Sequence, residues 1–118
     1  MSAEKNSLCR ILIIDDDEFL RELISKRLLK EGYIILPASD GSSGIKAILH
    51  ENPDIILLDQ RLPDMTGVEV MEKVKKNGLT VPFIIMTGQG DEKLAVNMMK
   101  LGASDYLTKD TDFLDLLP

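Results

Sequence analysis

A chain of 118 residues with a net charge of −6, 44% hydrophobic and 29% charged, has the length of one domain, ~100–150 residues being usual. It is long enough to bury roughly two thirds of its unfolded surface without staples. The acidic balance argues against nucleic acid or an anionic membrane as a direct partner, since both require a basic patch. Aromatics make up 4% and Trp is absent, so the core must be aliphatic. Cys9 is the only cysteine; it closes no intramolecular disulfide and builds no metal cluster, which points to a reducing, cytoplasmic compartment. It reads as a small apolar residue at a strand entrance. No signal-like segment opens the chain, and apolar runs such as Ile55–Leu58 fall far short of the ~20 residues that span a bilayer.

Residues 1–8 are polar and are predicted to form a flexible tail, leaving 9–118 as the domain. Ile11–Ile14 is a continuous, β-branched apolar run, the pattern of a buried strand, and it ends in Asp15, Asp16 and Asp17. Leu20, Leu23, Ile24, Arg27 and Leu28 then recur at helical spacing, with Asp17 as N-cap and Gly32 as the stop. Tyr33–Leu36 is a second strand, Ser39 to Gly44 a turn, and Ile45–Leu49 part of a short second helix ending near Asn52-Pro53. Ile55–Leu58 is a third strand ending at Asp59, followed by a loop over Gln60–Gly67. Val68, Met71 and Val74 mark a third helix stopped by Gly78. Pro82–Met86 is a fourth strand ending at Thr87, and Gly88-Gln89-Gly90 a flexible turn. Leu94, Ala95, Met98 and Leu101 stripe a fourth helix stopped by Gly102. Asp105–Leu107 is a fifth strand before Thr108-Lys109, and Asp112–Leu117 begins a fifth helix that the chain leaves unfinished.

Strands and helices therefore alternate in an α/β pattern, which implies a parallel sheet with helices on both faces. Open sheets of this kind bind ligands outside the carboxyl ends of their strands. Asp15 and Asp16, Asp59, Thr87 and Lys109 all stand at such ends. Three neighbouring carboxylates repel one another unless a proton or a cation intervenes. An oxygen-rich set without sulfur or imidazole suits a hard ion, and Mg²⁺ keeps several waters beside one or two carboxylates. A metal with open positions can neutralise charge in an in-line phosphoryl transfer. Lys109 supplies a point charge and Thr87 a hydroxyl for phosphoryl oxygens. A carboxylate can be the nucleophile, forming an aspartyl phosphate.

Taken together, Ile-Ile-Asp15-Asp16, Leu-Leu-Asp59-Gln-Arg-Leu-Pro63-Asp64-Met-Thr-Gly67, Ile-Met-Thr87-Gly88 and Tyr106-Leu-Thr-Lys109 resemble the receiver domains of two-component response regulators. The likeness runs from about Cys9 to Leu117 with its motifs in family order. It implies a flavodoxin-like doubly wound sheet of five strands in the order 2-1-3-4-5. By resemblance Asp59 is the phosphoacceptor, Asp16 a direct Mg²⁺ ligand, Asp15 a ligand through water, and the backbone carbonyl of Arg61 a further one; Mn²⁺ is the alternative ion. Thr87 and Lys109 correspond to the pair that binds the phosphoryl group, Gly88 to the small residue that leaves it accessible, and Tyr106 to the aromatic ring that swings inward with Thr87.

The implied function is a phospho-accepting switch rather than an enzyme acting on other substrates. Its partners would be a sensor histidine kinase or phosphotransfer protein and an output domain or partner reached through the fourth helix, fifth strand and fifth helix, with a homodimer as an option. A start at Met1 suggests an N-terminal receiver, and the end at Pro118 suggests either that an effector, sensor or kinase domain has been removed or that the receiver is an unusual stand-alone form. Two features depart from the family pattern: Asp110 rather than Pro follows Lys109, so a trans bond is expected there, and the fifth helix is short.

Several residues have plainer readings. Asp17 reads as a helix cap, Asp64 as a residue that shapes or solvates its own loop, His50 as surface, and Met98-Met99 as core and helix surface. Two other functional classes compete. An aspartyl phosphatase of the haloacid-dehalogenase type wants Asp-x-Asp-x-Thr/Val, and Asp15-Asp16-Asp17-Glu18-Phe19 lacks the final residue. A receiver-like interaction module that is never phosphorylated would not need the acceptor, acidic pair, Thr87 and Lys109 together.

Overall fold

The structure, a computed structural model, describes residues 9–88, 92–100 and 102–108. Its elements in chain order are β1 (Arg10–Ile14), α1 (Glu18–Leu29), β2 (Ile34–Ala38), α2 (Gly41–Glu51), β3 (Ile55–Asp59), α3 (Gly67–Lys76), β4 (Phe83–Thr87), α4 (Glu92–Lys100) and β5 (Asp105–Thr108). All strand pairs are parallel and the order is β2-β1-β3-β4-β5, as the resemblance implied. The predicted tail 1–8, the fifth helix and the Lys109–Asp110 bond lie outside the described residues.

The central strands show why their sequences are unbroken apolar runs. In β1, Leu12 and Ile14 enter one core with Ile48 of α2 and Val70, Met71 and Val74 of α3. Ile11 and Ile13 enter the opposite core with Ile24 and Leu28 of α1. In β3, Ile56 and Leu58 join the first core and Leu57 the second. Successive side chains point to opposite faces, so a strand covered on both sides needs an apolar residue at every position.

The capping chemistry sets the helix starts. Asp17 accepts the Leu20 N–H at 3.1 Å, as predicted for a cap. Thr66 and Glu69 form a reciprocal capping box at α3, satisfying N–H groups that the first turn leaves without helical partners. Gly32, Gly78 and Gly102 follow α1, α3 and α4 with φ of 89°, 76° and 109°, a region that costs glycine little.

Two boundaries differ from expectation by more than one residue. β2 continues through Pro37 to Ala38, where the sequence reading ended it at Leu36. β2 is an edge strand, and an edge tolerates a residue with no N–H to give. The segment Ser39 to Gly44, read as a turn, includes the first turn of α2. Asp40 caps it, its Oδ1 accepting the Ser43 N–H at 2.8 Å and the Ser43 hydroxyl at 2.6 Å. The two glycines that looked like turn residues are buried contact points. A Cβ on Gly44 would lie 2.5 Å from Ile14 Cδ1, and one on Gly41 would overlap the Met65 side chain.

At the amino end of the sheet, Arg10 ties β1 to the end of α2. Its Nε donates to the Glu51 carbonyl at 2.8 Å and its guanidinium pairs with the Glu51 carboxylate at 3.1 Å. The Arg10 N–H donates to Asp54 at 2.7 Å. Cys9 packs beside the second core. Burial pushes its thiol pKa up, and the Asp54 charge adds to that, so it carries little thiolate at neutral pH. No helix among the described residues is long and apolar enough to cross a membrane.

Candidate functional site

The carboxyl ends of β1 and β3 are neighbours, with Ile14 opposite Leu58. The residues that follow therefore meet. Asp15, Asp16 and Asp59 each offer a carboxylate oxygen, and these atoms lie within 4.8 Å of one another. Asp15 is fully buried and Asp59 nearly so, whereas Asp16 is exposed. The site thus has a sheltered floor and one carboxylate facing solvent.

Backbone geometry holds this floor in place. The Asp15 N–H continues the β1–β2 ladder to the Ala38 carbonyl at 3.1 Å. Asp15 Oδ1 accepts the Asp17 N–H at 2.9 Å, so the residue that caps α1 also fixes the carboxylate before it. Arg21, one turn into α1, donates to the Asp15 carbonyl at 2.6 Å. The sequence reading passed over Arg21, because its target is a backbone oxygen that leaves no residue signature.

On the other side, β4 pairs with β3 so that Met86 lies opposite Asp59. Thr87, next in β4, is 1% exposed, and Gly88 follows half-buried. Tyr106 lies in β5 opposite Ile85. Lys109 and the Tyr106 side chain fall outside the described residues. The structure therefore brings together Asp15, Asp16 and Asp59, with Thr87 and Gly88 at the same edge of the sheet.

The loop after Asp59 folds back tightly. Arg61 pairs with Thr66 in an antiparallel bridge, Leu62 N–H donates to the Met65 carbonyl at 3.2 Å, and Gly67 N–H to the Gln60 carbonyl at 2.9 Å. The Arg61 N–H points at Asp59 Oδ1 at 3.4 Å. Gly67 must be small: a Cβ there would lie 3.0 Å from the Asp59 carbonyl oxygen and 3.0 Å from Gln60 Oε1. Asp64, expected to shape only its own loop, reaches across to α2 and accepts the Gly41 and Ser42 N–H groups at 2.8 and 2.9 Å.

The donor set of this cluster is all carboxylate, with no thiolate or imidazole. That chemistry fits a hard divalent cation such as Mg²⁺. Asp40, at the start of α2 nearby, has its carboxyl held below the usual range by the Ser43 hydroxyl and the Ser43 N–H, which outweigh an opposing effect of burial, with a lesser contribution from the Lys46 charge.

Comparison with known proteins decides the family. The model of the response regulator receiver domain matches residues 11–118. The chain belongs to the response regulator receiver domain family. Among curated relatives, the receiver is 37% identical over 100 residues to the alkaline phosphatase synthesis transcriptional regulatory protein PhoP of Bacillus subtilis, covering 85% of this chain and 42% of that protein. Among solved structures, a CheY-like response regulator receiver domain protein from Methanospirillum hungatei matches with a TM-score of 0.82 at 34% identity, covering 92% of this chain and 87% of that one. The response regulator TrrA from Thermotoga maritima, solved in complex with Mg²⁺-BeF, matches with a TM-score of 0.79 at 29% identity, covering 92% of this chain and 93% of that one.

Receiver domains act as phosphorylation switches in two-component signalling, bind Mg²⁺ at an acidic Asp cluster, and interact with histidine kinases. The receiver spans less than half the length of the transcriptional regulators it matches in that comparison. The exclusion of nucleic acid drawn from its charge is thus confined to this segment.

Proposed function

We propose that Asp59 accepts a phosphoryl group from the phospho-histidine of a sensor kinase or phosphotransfer protein, and that the change is passed to an output partner. The observation that carries this is the convergence of the Asp15, Asp16 and Asp59 carboxylates within 4.8 Å, beside a buried Thr87. In the reaction an Asp59 carboxylate oxygen attacks phosphorus and forms a P–O bond as the P–N bond to imidazole breaks. The leaving imidazole takes up a proton. Asp16 would hold Mg²⁺ directly, Asp15 through water, and Asp59 and the Arg61 carbonyl would complete the protein's share; Mn²⁺ would serve in its place. The ion's contribution when bound is to neutralise charge on the transferring oxygens.

The chain's own residues do the rest. Asp15 is fixed by the Asp17 N–H and by Arg21 at its carbonyl, so this member of the acidic pair is held in place by the fold. Thr87 donates its hydroxyl to a phosphoryl oxygen, Gly88 leaves the group accessible, and Lys109 adds a positive charge. Movement of Thr87 toward the phosphoryl group opens space for Tyr106, shifting a population between two packings. The face of α4, β5 and the segment that follows β5 then carries the signal. We take residues 9–118 as the receiver unit, working in the cytoplasm, with phosphotransfer and dephosphorylation of Asp59 as its only catalysis.

Acetyl phosphate with Mg²⁺ is expected to add one phosphoryl group at Asp59, located by mass spectrometry. Chelation should abolish the label. Undiminished labelling of Asp59→Asn at another residue would refute the assignment, and absence of label with every phosphodonor would favour a module that is never phosphorylated.

A further inference from the structure

The loop from Gln60 to Gly67 leaves the acceptor directly and carries Arg61. Its position therefore decides where that carbonyl stands relative to the three carboxylates. The bonds within the loop, Arg61 with Thr66 and Leu62 with Met65, define its shape but not its tilt against the sheet. Leu62 and Met65 pack against the first core and the Gln60 N–H donates to the Met86 carbonyl; the tip adds a polar contact to a helix. Asp64 Oδ1 accepts the Gly41 N–H at 2.8 Å and Oδ2 the Ser42 N–H at 2.9 Å. One carboxylate thus takes the first two N–H groups of α2, where the helix dipole favours negative charge. Met65, next in sequence, lies so close to Gly41 that a Cβ there would overlap its side chain.

These contacts are not the ordinary cap of α2. That role belongs to Asp40, which serves the Ser43 N–H and hydroxyl. Asp64 takes the two N–H groups that Asp40 leaves, from a position 22 and 23 residues further along the chain. α2 is in turn seated on the sheet through Gly44 against Ile14, the residue before Asp15. A closed ring results: Asp59, its loop, Asp64, α2, Ile14 and Asp15.

We propose that Asp64 is a positioning residue for the metal and phosphoryl site. By clamping the Gln60–Gly67 loop onto the N-terminus of α2, it holds the Arg61 carbonyl and Asp59 in register with Asp15 and Asp16. The proposal rests on the reading of Asp59 and Arg61 given above. Groups that hydrogen-bond a metal ligand directly change metal affinity by about 10–100-fold when removed, and Asp64, acting through the loop, is expected at the lower end of that range.

The test is a Mg²⁺ titration followed by amide chemical shifts, with amide exchange and acetyl-phosphate labelling rates, on the parent, Asp64→Ala, Asp64→Asn and Asp40→Ala. Asp64→Ala is expected to weaken Mg²⁺ binding about 10-fold and to slow labelling at low Mg²⁺, with the rate recovering at saturating Mg²⁺. The Gly41 and Ser42 amides should lose exchange protection. Asp64→Asn, which keeps one acceptor oxygen, should fall between. Asp40→Ala, which removes the cap but leaves the clamp, should lower Tm and leave Mg²⁺ affinity unchanged. Mg²⁺ affinity in Asp64→Ala equal to that of the parent would overturn the proposal, as would an equal loss in Asp40→Ala. A parent that binds no Mg²⁺ would instead remove the underlying reading of the site, and the clamp with it.

Discussion

At the amino end of the sheet, Glu51 and Asp54 meet Arg10, which gives each of them a charge-assisted bond or an N–H. At the carboxyl end, Asp15, Asp16 and Asp59 meet one another within 4.8 Å. The same α2 links the two regions, its first residues held by Asp64 and its last by Arg10. The difference separates two uses of acidic residues. Matched with a base at a helix end, an acid closes a contact and stabilises the fold. Gathered with other carboxylates in a sheltered floor, it adds like-charge repulsion and creates affinity for a cation. Each like-charge pair costs on the order of 1 kcal/mol in water, and more in a partly dry pocket.

The sharpest way to test that contrast is to delete one charge at each end. Asp16→Asn is expected to abolish the Mg²⁺-induced rise in Tm while raising metal-free stability by about 1 kcal/mol. Ligand that binds the folded state alone stabilises by mass action, so the parent should gain with Mg²⁺ and the variant should not. Thermal melts with and without the ion measure both; equal Mg²⁺-induced shifts would break the comparison.

Arg10→Ala should move stability the other way, lowering it by about 0.5–1 kcal/mol through the loss of a partly exposed ion pair and a bond to the Glu51 carbonyl. The loss should shrink with added salt and leave Mg²⁺ affinity untouched. Denaturant titrations at two ionic strengths would show it.

The smallest effect concerns acid. The Asp40 carboxyl is held low, first by the Ser43 hydroxyl. A carboxylate with a lowered folded pKa adds stability that is fully present above its unfolded pKa, about 3.9, and is lost as pH falls through the folded value. Asp40→Asn keeps a capping oxygen but loses this titration. Its Tm should therefore fall less steeply than the parent's as pH drops below about 4. Parallel pH profiles would show that Asp40 plays no part in acid unfolding.

Much of this arrangement could be read along the chain. Ile11–Ile14 and Ile55–Leu58 announce strands buried on both faces, and the acids after them mark the carboxyl ends. Asp17 was recognisable as a cap because its partner is only three residues away. The reading failed where local rules were overridden. The second strand is expected to end at Leu36, and nothing local says that β2 lies at an edge and can continue through Pro37. Gly41 and Gly44 looked like turn formers because their close neighbours, Met65 and Ile14, are remote in sequence.

The sequence by itself determined the alternation of strands and helices and the identity of the residues at the strand ends. Periodicity and capping act over a few residues, and a peptide carries those signals before it folds. Only the tertiary structure decided that Asp15 is enclosed while Asp16 faces solvent, that Arg21 holds the Asp15 carbonyl, and that Asp64 reaches α2 rather than its own loop. The targets of Arg21 and Asp64 are a backbone carbonyl and backbone N–H groups, which every residue type except proline carries alike. Such a partner leaves no mark on the sequence and is found only when the chain brings it within bonding distance.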